Sequence, residues 1–182
     1  MHMDKKNIVF IARSLDGFIA TKEGGIDWLN SIPNPEGDDM GYMEHIENID
    51  ALVMGRNTFE LVCSFDMEWP YTKPVFVLSN KMQKVPEKFS SHAKLVKGSL
   101  TDVLEVIHGQ GYFKLYIDGG ATIQSFLKED LIDEMIISTI PILIGGGIPL
   151  FGDLPEMLLF EHKGSKVFLD AVVQDTYSRK RK

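Results

Sequence analysis

Cysteine is almost missing from this chain: Cys63 is the only one among 182 residues. A disulfide within the chain and a cysteine metal site are therefore excluded. The histidines (His2, His45, His92, His108 and His162) are scattered and show no metal spacing. Long apolar runs are lacking too. Nothing approaches the roughly 18 residues of a membrane span, and no signal-peptide pattern opens the chain, so a cytoplasmic protein is expected. Positive charge is in deficit, with a net charge of −7. The body is more acidic still once the basic residues 179–182 are set aside, which argues against nucleic acid or an anionic membrane as partner. The nucleophile elbow G-x-S-x-G is absent. So is the Rossmann fingerprint G-x-G-x-x-G, and the strand at 134–140 runs into Pro141 with no acid for a ribose 2′-hydroxyl.

What remains fits one soluble domain over residues 1–182, with 1–6 and 179–182 expected to fray. Short β-branched runs at 7–12, 51–54, 74–78, 94–97, 114–118 and 134–140 read as buried strands. Helical patterns fall at 40–48, 59–63, 99–108 and 121–128. Residues 142–151 read as an apolar strand with a flexible tip at Gly145-Gly146-Gly147. After that, helices cease and strands run at 157–163, 166–173 and 175–178. Alternation followed by consecutive strands predicts an α/β fold, with a mostly parallel central sheet, flanking helices and antiparallel C-terminal edge strands.

Three strand ends carry groups suited to phosphate: Gly55-Arg56-Asn57-Thr58, Leu78-Ser79-Asn80 and Gly119-Gly120-Ala121-Thr122. A helix that starts at glycine offers free N–H groups and a positive dipole end. Alone, each could be a tight turn, and Arg56 could be a surface ion pair. Together, beyond the carboxyl ends of parallel strands, they predict one nucleotide site. Arg56, Ser79 and Asn80 suit a 2′-phosphate, so NADP(H) is preferred over NAD(H). Asp39, after a loop containing Trp28, is the best lone carboxylate. It is expected at a helix start facing a partly apolar pocket that raises its pKa, with a helix cap as the alternative.

Several stretches carry a resemblance: Ala12-Arg13-Ser14-Leu15-Asp16-Gly17-Phe18-Ile19-Ala20, Asp27-Trp28, Asp38-Asp39-Met40-Gly41-Tyr42, Val53-Met54-Gly55-Arg56-Asn57-Thr58-Phe59-Glu60, Val77-Leu78-Ser79, Ile117-Asp118-Gly119-Gly120, and Pro141 through Phe151. In order and content the chain resembles the dihydrofolate-reductase-like superfamily. More closely, it resembles the reductase domain of the bifunctional riboflavin-biosynthesis deaminase–reductase and its stand-alone bacterial relatives. The resemblance implies a dihydrofolate-reductase-like fold and an NADPH site. Gly55, Arg56 and Thr58 would hold phosphates, and Leu78, Ser79 and Asn80 the 2′-phosphate end. Gly119, Gly120, Ala121 and Thr122 would cradle the pyrophosphate. Ala12 and Ile19 would line the nicotinamide under a mobile loop at 21–28.

The resemblance also implies a small-molecule substrate held by Trp28, Asp39, Tyr42 and Gly146, with Asp39 as the catalytic acid, and a homodimer formed through residues 157–173. The implied activity is 5-amino-6-(5-phosphoribosylamino)uracil reductase-like. Dihydrofolate reduction and a non-catalytic nucleotide- or pterin-binding role are the alternatives. Where the folate enzymes have a third phosphate glycine, this chain has Asp118. No deaminase domain is present, nor its zinc-ligand motif.

Overall fold

The apolar runs of the sequence become the parallel core of one sheet. The computed structural model describes residues 4–181. Strands β1 (Lys6–Ser14), β3 (Ala51–Gly55), β4 (Val75–Leu78), β5 (Ala93–Val96), β6 (Lys114–Asp118) and β7 (Glu134–Ile140) lie parallel, and the long hairpin of β9 (Phe160–Phe168) and β10 (Val172–Arg179) closes one edge antiparallel. The order across the sheet is β5-β4-β3-β6-β1-β7-β10-β9. A separate ribbon pairs β2 (Phe18–Ala20) with β8 (Ile148–Pro149).

Alternation along each strand sends side chains to two faces, and both are filled. One face joins Val53, Leu115 and Ile117 to the apolar stripes of α3 (Leu100–Gly109) and α4 (Gly120–Lys128). The other joins Leu52, Met54 and Tyr116 to Phe59 of α2 (Arg56–Ser64) and Ile46 of α1 (Tyr42–Glu47). Burying apolar surface on both faces is what a parallel sheet requires. Ser99 starts α3 with a capping box: Asp102 N–H donates to Ser99 Oγ at 3.2 Å, and Ser99 N–H donates to Asp102 Oδ2 at 3.1 Å.

Four expectations need correction. The helix expected from residue 40 starts at Tyr42, because Met40 and Gly41 take positive φ of 51° and 82°. Residues 142–151 are a strand only at Ile148–Pro149. Gly145 takes a φ of 77°, and the tip is tied down where the N–H groups of Ile144 and Gly145 donate to Asp16 at 3.2 and 2.8 Å. The terminal strands divide at Leu169 and Asp170, whose φ values of 53° and 54° make the hairpin turn. Finally, the tail does not fray at residue 179. Arg179 ends β10, its side chain is 9% exposed, and it forks onto Asp130 at 2.6 and 3.1 Å. Arg181 pairs with Asp133. Of the remaining terminal residues, Lys6 begins β1, and residues 1–3 and 182 lie outside the described ones.

Two hydrogen bonds from one side chain tie the hairpin to earlier parts of the chain. Gln174 in β10 donates from Nε2 to the Met40 carbonyl at 2.9 Å and to Ser138 Oγ at 3.0 Å.

Candidate functional site

The carboxyl ends of β1, β3, β4 and β6 open into one cavity of about 1070 Å³. That is at the top of the ~300–1,000 Å³ range of small-molecule sites, with room for a dinucleotide and a second small molecule beside it. The three phosphate-suited strand ends all line it: Gly55, Arg56 and Thr58; Leu78, Ser79 and Asn80; Gly119, Gly120, Ala121 and Thr122. Ala12 and Ile19 line it from the β1 side, and Lys22, Glu23, Gly24 and Ile26 from the loop at 21–28.

Close approach explains the glycines. A Cβ on Gly55 would stand 2.7 Å from Thr122 Oγ1, and one on Gly120 would stand 2.7 Å from Ile19 Cδ1. At Gly119 a Cβ would collide with Thr58 Oγ1, and the backbone holds a φ of 91° that side chains rarely adopt. The same glycines leave two helix N-termini bare. Gly55 precedes α2 and Gly119 precedes α4, and neither helix carries a side-chain cap. Unpartnered N–H groups with the positive ends of both dipoles therefore face the cavity, which suits a diphosphate.

Three side-chain donors also line the cavity. The Arg56 guanidinium is loosely held, 3.9 Å from Glu60 and 3.5 Å from Asn57. Ser79 Oγ accepts the Met82 N–H at 3.0 Å, which leaves its own proton to donate. Asn80 accepts the Gly98 N–H at 2.9 Å through Oδ1, leaving its amide N–H groups for a ligand. A fork, a hydroxyl and an amide lining the same cavity suit the 2′-phosphate of NADP(H). The observed residues thus match the group the resemblance implies.

The substrate residues are placed differently. Asp39, Trp28, Tyr42 and Gly146 are not among the residues lining this cavity. Asp39 is exposed, and its two oxygens accept the N–H groups of Gly41 and Met43, both at 2.9 Å. It therefore ties up the turn into α1 and does not face an apolar pocket. Trp28 sits in a 3-10 turn, where its neighbour Leu29 reaches the cavity. Gly146 lies against Lys22, outside the lining. Tyr42 is T-shaped against Phe10, with ring centres 5.9 Å apart. Burial and then the nearby Asp118 charge push its hydroxyl up to about 12.

Of the acids lining this cavity, Asp118 is the one whose carboxyl is shifted by burial. Strand alternation puts it on the Tyr116 face of β6, at the cavity floor. Its Oδ1 accepts the Gly119 N–H at 2.8 Å, and its other oxygen has no partner among the described residues. Burial pushes its carboxyl up to about 6, against the lowering effect of that one hydrogen bond. Tyr71 lines the same region, and burial followed by the Asp118 charge raises its hydroxyl well above the ordinary value, so it stays a donor.

This fold and site define a dihydrofolate-reductase-like protein, with a mostly parallel sheet and a cofactor-sized cleft at its strand ends. Residues 5–173 match the RibD C-terminal domain, and the chain belongs to that family. It is similar to the uncharacterized protein YwjB of Bacillus subtilis, 36% identical over 172 residues, 93% of this chain and 96% of that one. Among solved structures it is similar to a putative riboflavin biosynthesis protein from Shewanella sp. PV-4. That match has 57% identity and a TM-score of 0.94, and covers 97% of this chain and 99% of that one. A dihydrofolate reductase from Enterococcus faecalis, solved with NADP(H), shares the fold at 17% identity and a TM-score of 0.68, with 97% of each chain covered. Among the described residues no helix is long and apolar enough to cross a membrane.

Proposed function

We propose that the protein is an NADPH-dependent reductase of the riboflavin-biosynthesis type, acting on a small heterocyclic or ribosylamino substrate. The observation that carries this reading is the convergence of two bare helix N-termini and the Arg56–Ser79–Asn80 cluster in one cavity. NADP(H) in a protein of the same fold supports it. When bound, the nicotinamide supplies a hydride to the carbon of a C=N bond or of its ring-opened equivalent.

The nitrogen must gain a proton as that carbon gains the hydride. Asp118, whose carboxyl burial pushes up to about 6, holds one below that pH and in that form donates it to the nitrogen, directly or through water. Tyr71 orients the substrate through its retained hydroxyl proton. Ala12 and Ile19 form the apolar wall that excludes water on the β1 side. Asp39 keeps the turn that leads into α1.

Fluorescence titration of the purified protein with NADPH and with NADH tests the reading. NADPH should bind at least tenfold more tightly. Equal or absent binding overturns it. Pairing of two copies through the terminal hairpin belongs to the same proposal. Val167 and Val173 are cross-strand neighbours, 65% and 39% exposed, and Met157, ahead of the hairpin, is 89% exposed. A monomeric mass by light scattering would count against that pairing.

A further inference from the structure

The charges lining the cavity are unevenly shared. Among the described residues, its cations are Lys22 and Arg56, against the acids Glu23, Asp118 and Glu129. Arg56, like Ser79 and Asn80, is assigned above to the 2′-phosphate. Lys22 lies beside Gly146, at the edge of the β2–β8 ribbon. Neither stands on the wall left for the substrate. That wall is the last half of α2 and the segment after it, Leu61, Val62 and Phe65, together with Leu29, Tyr71 and Asp118. Leu61 is 37% and Phe65 39% exposed, so the outer rim of this wall is apolar as well.

A phosphate placed there would lose hydration against aliphatic and aromatic carbon, and would face a carboxylate with no cation to answer it. Sites built for phosphate offer guanidinium forks, ammonium groups or bare N–H groups, and here those lie on the cofactor side. We propose that the substrate reduced in this cavity carries no phosphate. It is a neutral small heterocycle, bare or ribosylated, whose ring bonds to Asp118 and Tyr71 while its outer part rests on Leu61 and Phe65.

This inference rests on the cofactor placement proposed above, and the two fail separately. NADPH titration reports on the cofactor alone. With the protein saturated in NADP⁺, calorimetric titration then compares 5-amino-6-(5-phosphoribosylamino)uracil with the same compound stripped of its phosphate. The phosphate-free form should bind at least tenfold more tightly. Equal or tighter binding of the phosphorylated form overturns the proposal, as does failure of both forms to bind. Leu61→Arg supplies the missing cation at a half-exposed position, and its NADPH titration reports whether it folds. It should shift the preference at least tenfold toward the phosphorylated form. An unchanged preference in this variant would also count against the proposal.

Discussion

Thr58 Oγ1 occupies the space that a Cβ on Gly119 would need. The start of α2 and the start of α4 are therefore locked together across the floor of the cleft. Gly119→Ala must displace Thr58 and also hold a φ of 91° with a side chain. We expect a loss of about 2 kcal/mol or more in urea unfolding, with NADPH affinity down at least tenfold. Gly17→Ala is the control. It has a φ of 89° but open space around it, so it should cost stability without weakening NADPH binding.

Arg56 is exposed, and its nearest partners lie at 3.5 and 3.9 Å, so its own contribution to stability is small. Arg56→Gln should leave unfolding within about 0.5 kcal/mol of the parent. Its effect should appear in the cofactor instead. Affinity for NADPH should fall at least tenfold while that for NADH stays the same. A matching fall for both would remove Arg56 from the 2′-phosphate end.

Asp118 should set the pH dependence of turnover. Its carboxyl is pushed up to about 6 by burial, so the proton-donating form is lost as pH rises through that value. Asp118→Asn should lower kcat at least tenfold and flatten the profile around pH 6. Stability should fall over the same rise in pH. The folded protein binds this proton more tightly than the unfolded chain, so ionisation above pH 6 costs up to about 3 kcal/mol that is absent near pH 4. Urea unfolding of Asp118→Asn should therefore show a gain at pH 8 and none at pH 4.

His45 gives the opposite slope. Burial against Phe10, whose ring centre is 4.8 Å away, lowers its pKa to about 4. Between the unfolded value near ~6.5 and pH 4, the unfolded chain takes up a proton that the folded one refuses. Stability is lost as pH falls through that window. His45→Phe should remove this loss, leaving unfolding midpoints at pH 4.5 and pH 7 closer together than in the parent.

Arg179 tests how the chain end is held. Its side chain is 9% exposed and paired with Asp130 at 2.6 Å. Arg179→Met should cost about 2–3 kcal/mol in urea, because Asp130 loses its close partner and keeps only Arg181 at 3.7 Å. A change below about 0.5 kcal/mol would mean the pairing contributes nothing.

The fold and the glycine-bearing strand ends that line the cleft were legible because both are written in local patterns. Val53-Met54-Gly55-Arg56 shows a buried strand running into a glycine turn, and the same holds at Ile117 to Gly120. What escaped depended on backbone conformations without a residue signature. The hairpin turns at Leu169-Asp170, where positive φ falls on residues that rarely adopt it, so the strand appeared continuous through 173. Met40 likewise delays α1 and turns Asp39 to solvent. Asp118 was visible as a departure from glycine, but its role depends on burial among distant residues such as Tyr42 and Tyr71. Strand alternation from Tyr116 was the one signal that could have placed it on the cavity face.

The Gln174 bond to the Met40 carbonyl has a consequence for the order of assembly. On the ribosome, the cofactor cleft has all of its lining once residue 148 has emerged. The loop that carries Asp38 and Asp39 must wait for Gln174, 134 residues after Met40, to receive this anchor. The nascent chain therefore completes the residues of its cofactor wall before it can fasten the entry to α1, and the arrival of Gln174 in β10 is the step that fastens it.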